Sequence, residues 1–125
     1  STYPRDYLPL VLTRWEGVDV MNYSCLISAF GEKNIAITGQ GTLDGQAASS
    51  NWWPWKGRKV YGWKENTPNQ TDKSNRPALF DMVEKDIPVL NRKFGEGHYL
   101  RPQFIQPYNC ENILIEGITI LRSPM

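Results

Sequence analysis

A lone histidine, an arginine three residues beyond it and a run of tryptophans are the residues of this 125-residue sequence best suited to binding or proton transfer. His98 is the only histidine. An imidazole can shuttle protons or ligate a metal near neutral pH, yet no second residue stands at ligand spacing, and a structural role is the stronger reading. Arg101 carries a planar guanidinium that can grip a carboxylate through two parallel hydrogen bonds. Its plainer use is to hold loop carbonyls, and Arg122 is a similar case. Trp52-Trp53-Pro54-Trp55 offers flat aromatic faces for stacking. A long connection also needs anchors, and indole supplies the largest burial per residue. The carboxylates do not gather. Asp44-Gly45 reads as a turn, while Asp81, Glu84 and Asp86 fall mostly on the wet side of a predicted helix. Solvation there would not raise a carboxyl pKa toward general-acid duty. No catalytic residue, metal framework or cofactor motif stands out.

Charge balance points the same way. Fourteen Lys and Arg oppose 13 Asp and Glu, for a formal net charge of +1. No long-range field would draw a polyanion such as nucleic acid to the whole molecule. Lys56, Arg58, Lys59 and Lys64 make a local excess that reads as a solvated loop. Cys25 and Cys110 suit buried thiols acting as small apolar groups. No run reaches the length of a membrane span, and STYPRDYLPL at the start lacks signal-peptide character.

The elements that must position these side chains come from a pattern used twice. Residues 26–43 read LISAFGEKNIAITGQGTL and residues 104–121 read FIQPYNCENILIEGITIL. Aligned without a gap, Leu26 meets Phe104, Ile27 meets Ile105, and Phe30 meets Tyr108. Asn34-Ile35 meets Asn112-Ile113, Ile37 meets Ile115, Gly39 meets Gly117 and Leu43 meets Leu121. Asp44 then falls opposite Arg122. Apolar residues at alternate positions imply strands with one buried face. Asn before each run and Gly after it suit corners that need bent or left-handed backbone. A repeated strand–corner–strand unit implies a solenoid whose turns bury their faces on one another. The two asparagines are predicted to stack as neighbours, amide to amide.

The chain then divides into coils near 8–24, 25–44 and 103–122, with an insertion over 45–102, within one partial domain spanning 1–125. Inside the insertion the pattern predicts a helix over 77–86. Pro77 suits its first turn, Ser74 or Asn75 its cap, and Leu79, Met82 and Val83 its apolar face. The tryptophans should form a small aromatic core belonging to the insertion. Asn22-Tyr23-Ser24 and Asn69-Gln70-Thr71 match the glycosylation acceptor pattern.

Several short motifs occur in a fixed order: Gly39-x-Gly41-Thr42-Leu43-Asp44-Gly45, Trp52-Trp53, Tyr99-Leu100-Arg101-Pro102, Asn112-Ile113-x-Ile115-x-Gly117 and Ser123-Pro124-Met125. Together they resemble the polygalacturonase-like enzymes of glycoside hydrolase family 28, particularly bacterial ones. The resemblance implies a right-handed parallel β-helix and inverting hydrolysis of pectic polysaccharide by an acid on one side of the bond and water-activating carboxylates on the other. The family's Asn-Thr-Asp, Gly-Asp-Asp, His-Gly and Arg-x-Lys segments are absent from these 125 residues. The resemblance therefore implies an internal fragment without catalytic residues, inactive alone, from a secreted or periplasmic parent that needs no cofactor. Arg101, His98 and Trp53 become its candidate substrate-binding residues, for galacturonate carboxylate and sugar rings. Expected partners are the polysaccharide, not nucleic acid or membrane, with self-association through open coil ends. The alternatives are a pectate-lyase-like solenoid using Ca²⁺ and a non-catalytic carbohydrate-binding one.

Overall fold

Glu16 and Gly17 both take positive φ, 45° and 88°, the backbone of a two-residue turn that reverses a strand tightly. In the computed structural model, which describes residues 1–125, they join β1 (Val11–Trp15) to β2 (Val18–Asn22) as an antiparallel hairpin. Alternation along both strands turns Thr13, Trp15, Val20 and Asn22 inward. The coil expected near 8–24 is therefore a hairpin instead. A tight turn brings the chain straight back beside itself, so it cannot travel around a rung and stack in parallel.

The repeat forms three strands per copy. β3 (Ile27–Phe30), β4 (Lys33–Thr38) and β5 (Thr42–Asp44) come first. After the insertion and its helix α1 (Arg76–Glu84), β6 (Ile105–Tyr108), β7 (Glu111–Glu116) and β8 (Thr119–Leu121) follow. Each strand of one copy pairs in parallel with its counterpart, giving three two-stranded sheets. Ile27 faces Ile105, Phe30 faces Tyr108, Ile35 faces Ile113 and Ile37 faces Ile115, as the alignment predicts. Asn34 and Asn112 take left-handed backbone, φ 56° and 58°, which Asn tolerates better than other side chains. The Asn112 amide donates to Asn34 Oδ1 at 2.9 Å. Phe30 and Tyr108 stack with ring centroids 5.3 Å apart.

Past the glycines the register changes. Leu43 faces Ile120 and Asp44 faces Leu121, not Leu121 and Arg122. The first copy places three residues between its last two strands and the second places two. That corner is solvent-facing and tolerates the difference. Arg122 instead turns its side chain back, donating from Nε to Asp44 Oδ1 at 2.8 Å.

The alternate apolar residues were expected to be buried, and in β7 and β8 they are not. Ile113, Leu114, Ile115, Ile120 and Leu121 are each 43–49% exposed. The second copy pairs with the first on one side only, and its other side is open to water. The buried core lies elsewhere. One cluster joins Trp15 and Val20 of the hairpin to Leu79 of α1, with Phe94 and Leu100. The other joins Trp52 and Ala47 of the insertion to Tyr7 and Tyr23. The aromatic core is thus shared with the chain ahead of the repeat, because the insertion folds back over that face.

Helix α1 forms close to where the pattern predicts. Pro77 sits in its first turn, Leu79 is fully buried, and Met82 and Val83 pack on the same cluster. Burying a side chain such as Leu79 stabilises by about 1.5–3 kcal/mol. Asn75 occupies the cap position but makes no capping bond with its side chain.

Candidate functional site

The insertion rejoins the repeat at Leu100-Arg101, and the hairpin pins it there. Trp15 Nε1 donates to the Arg101 carbonyl at 3.1 Å, and the Asn22 amide donates to the Leu100 carbonyl at 3.0 Å. The Arg101 side chain is buried. Its Nε and Nη2 donate to Gln70 Oε1 at 3.3 and 3.1 Å, and Nη1 donates to the Pro124 carbonyl at 2.8 Å. It therefore ties the insertion to the residues after β8, with neutral acceptors and no carboxylate. Burial lowers its pKa from the usual arginine value, partly offset by Glu16. Trp53 lies nearby in the same web, half-buried, and donates from its indole to the Ser123 carbonyl at 3.0 Å.

His98 lies apart from these two, along a groove of about 430 Å³. Tyr23, Trp55 and Tyr99 are among its aromatic lining, and Arg5, Glu96 and His98 add a guanidinium, a carboxylate and an imidazole. Trp55 packs edge-on against Tyr99, centroids 5.0 Å apart, and tilts toward Tyr23 at 6.3 Å. Burial raises the Tyr23 phenol pKa, with Glu96 adding to the effect. His98 Nδ1 lies 2.9 Å from the Ser74 carbonyl and 3.1 Å from Asn75 Oδ1. Both are acceptors once the Asn75 amide nitrogen has donated to the Asn69 carbonyl at 2.7 Å, so the network assigns the proton to Nδ1. In the neutral imidazole Nε2 is then the acceptor. Such an arrangement can stack a flat ring on the aromatic wall and accept a hydroxyl proton at Nε2.

The three candidate binding residues therefore do not form one cluster. His98 lines the groove, whereas Arg101 and Trp53 hold segments together. Sequence reasoning missed Gln70 and Asn75, whose side chains do the holding, and Tyr99 and Glu96 beside the histidine. Gln70 had been hidden inside the acceptor pattern Asn69-Gln70-Thr71. Asn69 is buried there, and its Oδ1 accepts from the Thr71 amide at 2.9 Å. Asn22 of the other pattern is buried too. Neither amide is presented for modification.

The carboxylates remain dispersed. Asp81, Glu84 and Asp86 are exposed, with Asp81 paired to Lys85 at 2.7 Å. Hydrogen bonding from Arg122 holds the Asp44 carboxyl below its ordinary pKa, the wrong direction for a general acid. No group of three His, Cys, Asp or Glu residues is gathered for a metal ion. Cys25 is buried and Cys110 half-buried, both as free thiols. No helix is long and apolar enough to cross a membrane.

Paired copies of three parallel strands, interrupted by a folded excursion, define a mostly-β chain assembled from short parallel sheets. No protein-family model matches it, and no curated protein sequence does. Among solved structures, it is similar along 100% of its length to a hyperthermoactive exopolygalacturonase from Thermotoga maritima, at 52% identity and a TM-score of 0.95. The ordered motifs and this likeness point to the same group of enzymes. The chain spans 28% of the length of that enzyme.

Proposed function

We propose that these 125 residues are part of a right-handed parallel β-helix in a glycoside hydrolase that cuts galacturonan-type pectic polysaccharide. The likeness to an exopolygalacturonase over the whole chain carries this reading, and the paired copies of the repeat support it. The parent reaction is inverting hydrolysis. One carboxylic acid protonates the glycosidic oxygen while a carboxylate on the opposite side activates water. Neither group is assigned to this chain, whose acids stand apart on the surface or in ion pairs, so the segment alone is inactive. It contributes scaffold and substrate contact. His98, on the groove, is the stronger contact residue. Arg101 and Trp53 hold the groove's supporting segments in place and act on substrate through them. The parent is secreted or periplasmic, where pectic polymers are met. Isolated, the segment self-associates through its unpaired strand edges.

The test compares the parent enzyme and the 125-residue chain on polygalacturonate. Saturated sugar products from the parent and none from the chain are expected. Unsaturated products would establish elimination, absence of parental turnover would leave a binding solenoid, and turnover by the chain alone would locate catalysis within it.

A further inference from the structure

The local cation excess at residues 56–64 takes on a different meaning once its neighbours are known. Lys56, Arg58, Lys59 and Lys64 occupy nine residues that contain no acid. The molecule forms ion pairs through Arg14, Lys33, Arg76, Lys85 and Arg122, and none of the four belongs to one. Nor is any of their side chains in a hydrogen bond. A chain of net charge +1 thus carries four unpaired cations on one stretch, which Glu65 bounds.

That stretch is held in shape. Lys56 ends the 3-10 turn Trp53–Lys56 and Lys59 begins the turn Lys59–Tyr61, with Arg58 between them and Lys64 beyond. Trp53 is bonded to the Ser123 carbonyl, the Gln70 amide donates to the Trp55 carbonyl at 2.8 Å, and Trp63 Nε1 donates to the Thr67 carbonyl at 2.9 Å. Arg58, Lys59 and Lys64 are exposed. Among them stand Val60, 81% exposed, and Tyr61, 41% exposed. Apolar and aromatic surface interleaved with free cations suits a polymer whose units pair a carboxylate with an apolar ring face.

We propose that residues 56–64 form an electropositive capture strip for unesterified polyuronate, drawing a contiguous run of sugar carboxylates onto the insertion. The inference rests on the pectic reading above and adds to it a place on the insertion where a run of carboxylates is held. Nucleic acid fits less well. The apolar centre at Val60 and Tyr61 would face a phosphate backbone, and the molecule as a whole lacks the basic charge that such binding uses.

The test measures binding of this chain to polygalacturonate, to its fully methyl-esterified form and to double-stranded DNA, at low and high salt. Expected are binding to polygalacturonate that salt abolishes, and affinity about 10-fold or more weaker for the esterified polymer and for the fourfold Lys56→Gln, Arg58→Gln, Lys59→Gln, Lys64→Gln variant. The exposed pair Arg58→Gln, Lys59→Gln, with its circular dichroism checked against the parent chain, gives an intermediate loss. Equal affinity for the esterified polymer, DNA binding as tight as polygalacturonate, or variants that bind unchanged would each overturn the strip. A parent enzyme that makes saturated products while strip variants bind unchanged would remove the strip and leave the hydrolase. Strip binding in a protein without hydrolytic activity would do the reverse.

Discussion

The repeat and the surroundings of the insertion reach order by different means. In the repeat, six strands pair in three parallel sheets with side chains matched across copies, yet Ile113, Ile115 and Ile120 remain nearly half exposed. In the hairpin, the insertion and its return, Trp15, Trp52, Leu79, Phe94, Leu100 and Val20 are buried almost completely. None of these lies in strands β3 to β8. The part of the chain with the clearest sequence pattern is therefore not the part that buries the most. Each strand of the repeat specifies the counterpart it pairs with, and the burial of its faces depends on what packs there. The hairpin and insertion bury their side chains against each other, with the residues after β8 bound in at Ser123, Pro124 and Met125.

This contrast breaks most sharply at single residues. Trp52→Ala should cost about 3–5 kcal/mol, since it empties a fully enclosed site. Ile115→Ala should cost well under half as much, because water already reaches that side chain. Denaturant midpoints measure both, and equal losses would dissolve the distinction between the regions.

Gly117 tests the repeat from the backbone side. It takes φ +79°, and a Cβ there would run into the carbonyl of Gly39 in the copy below. Gly117→Ala should destabilise by about 1–3 kcal/mol, visible in the same melts, whereas the open site at Gly97 should lose less. Asn34→Ala gives a smaller effect. It removes the acceptor for the Asn112 amide and the residue type that best tolerates left-handed backbone, for about 1 kcal/mol.

The weakest link is the Asp44–Arg122 pair, exposed at the end of β5 and β8. Arg122 hydrogen bonding depresses the folded-state pKa of Asp44. Its contribution is therefore complete above the unfolded carboxylate value and is lost as pH falls through the folded one. The difference in thermal midpoint between the natural chain and Asp44→Asn should be present at neutral pH and fade once pH drops below about 4. High salt should shrink it as well. A difference independent of both would point to the Asp44 turn, through its bond to the Gln46 amide, rather than to the ion pair.

Local pattern determined more here than composition did. Alternation placed β3, β4, β6 and β7, the two asparagines announced their own stacking across 78 positions of sequence, and Leu79, Met82 and Val83 marked the buried side of α1. Ordered motifs carried the polygalacturonase likeness. Those signals are short-ranged or repeated, and repetition makes long-range pairing legible because each copy names its partner.

Tertiary structure alone decided the rest. Residues 8–24 became a hairpin because Glu16-Gly17 closes a two-residue turn whose product packs on α1, a contact no local window contains. The one-residue register change after Gly39 depended on how the two corners fitted around each other. Arg101 and Trp53 went to holding carbonyls and Gln70, while His98 was turned to the groove with its proton on Nδ1. Side-chain type permits each of those roles. Which one a residue takes depends on the acceptors brought to it by segments distant in sequence, and those exist only once the insertion has closed over the hairpin.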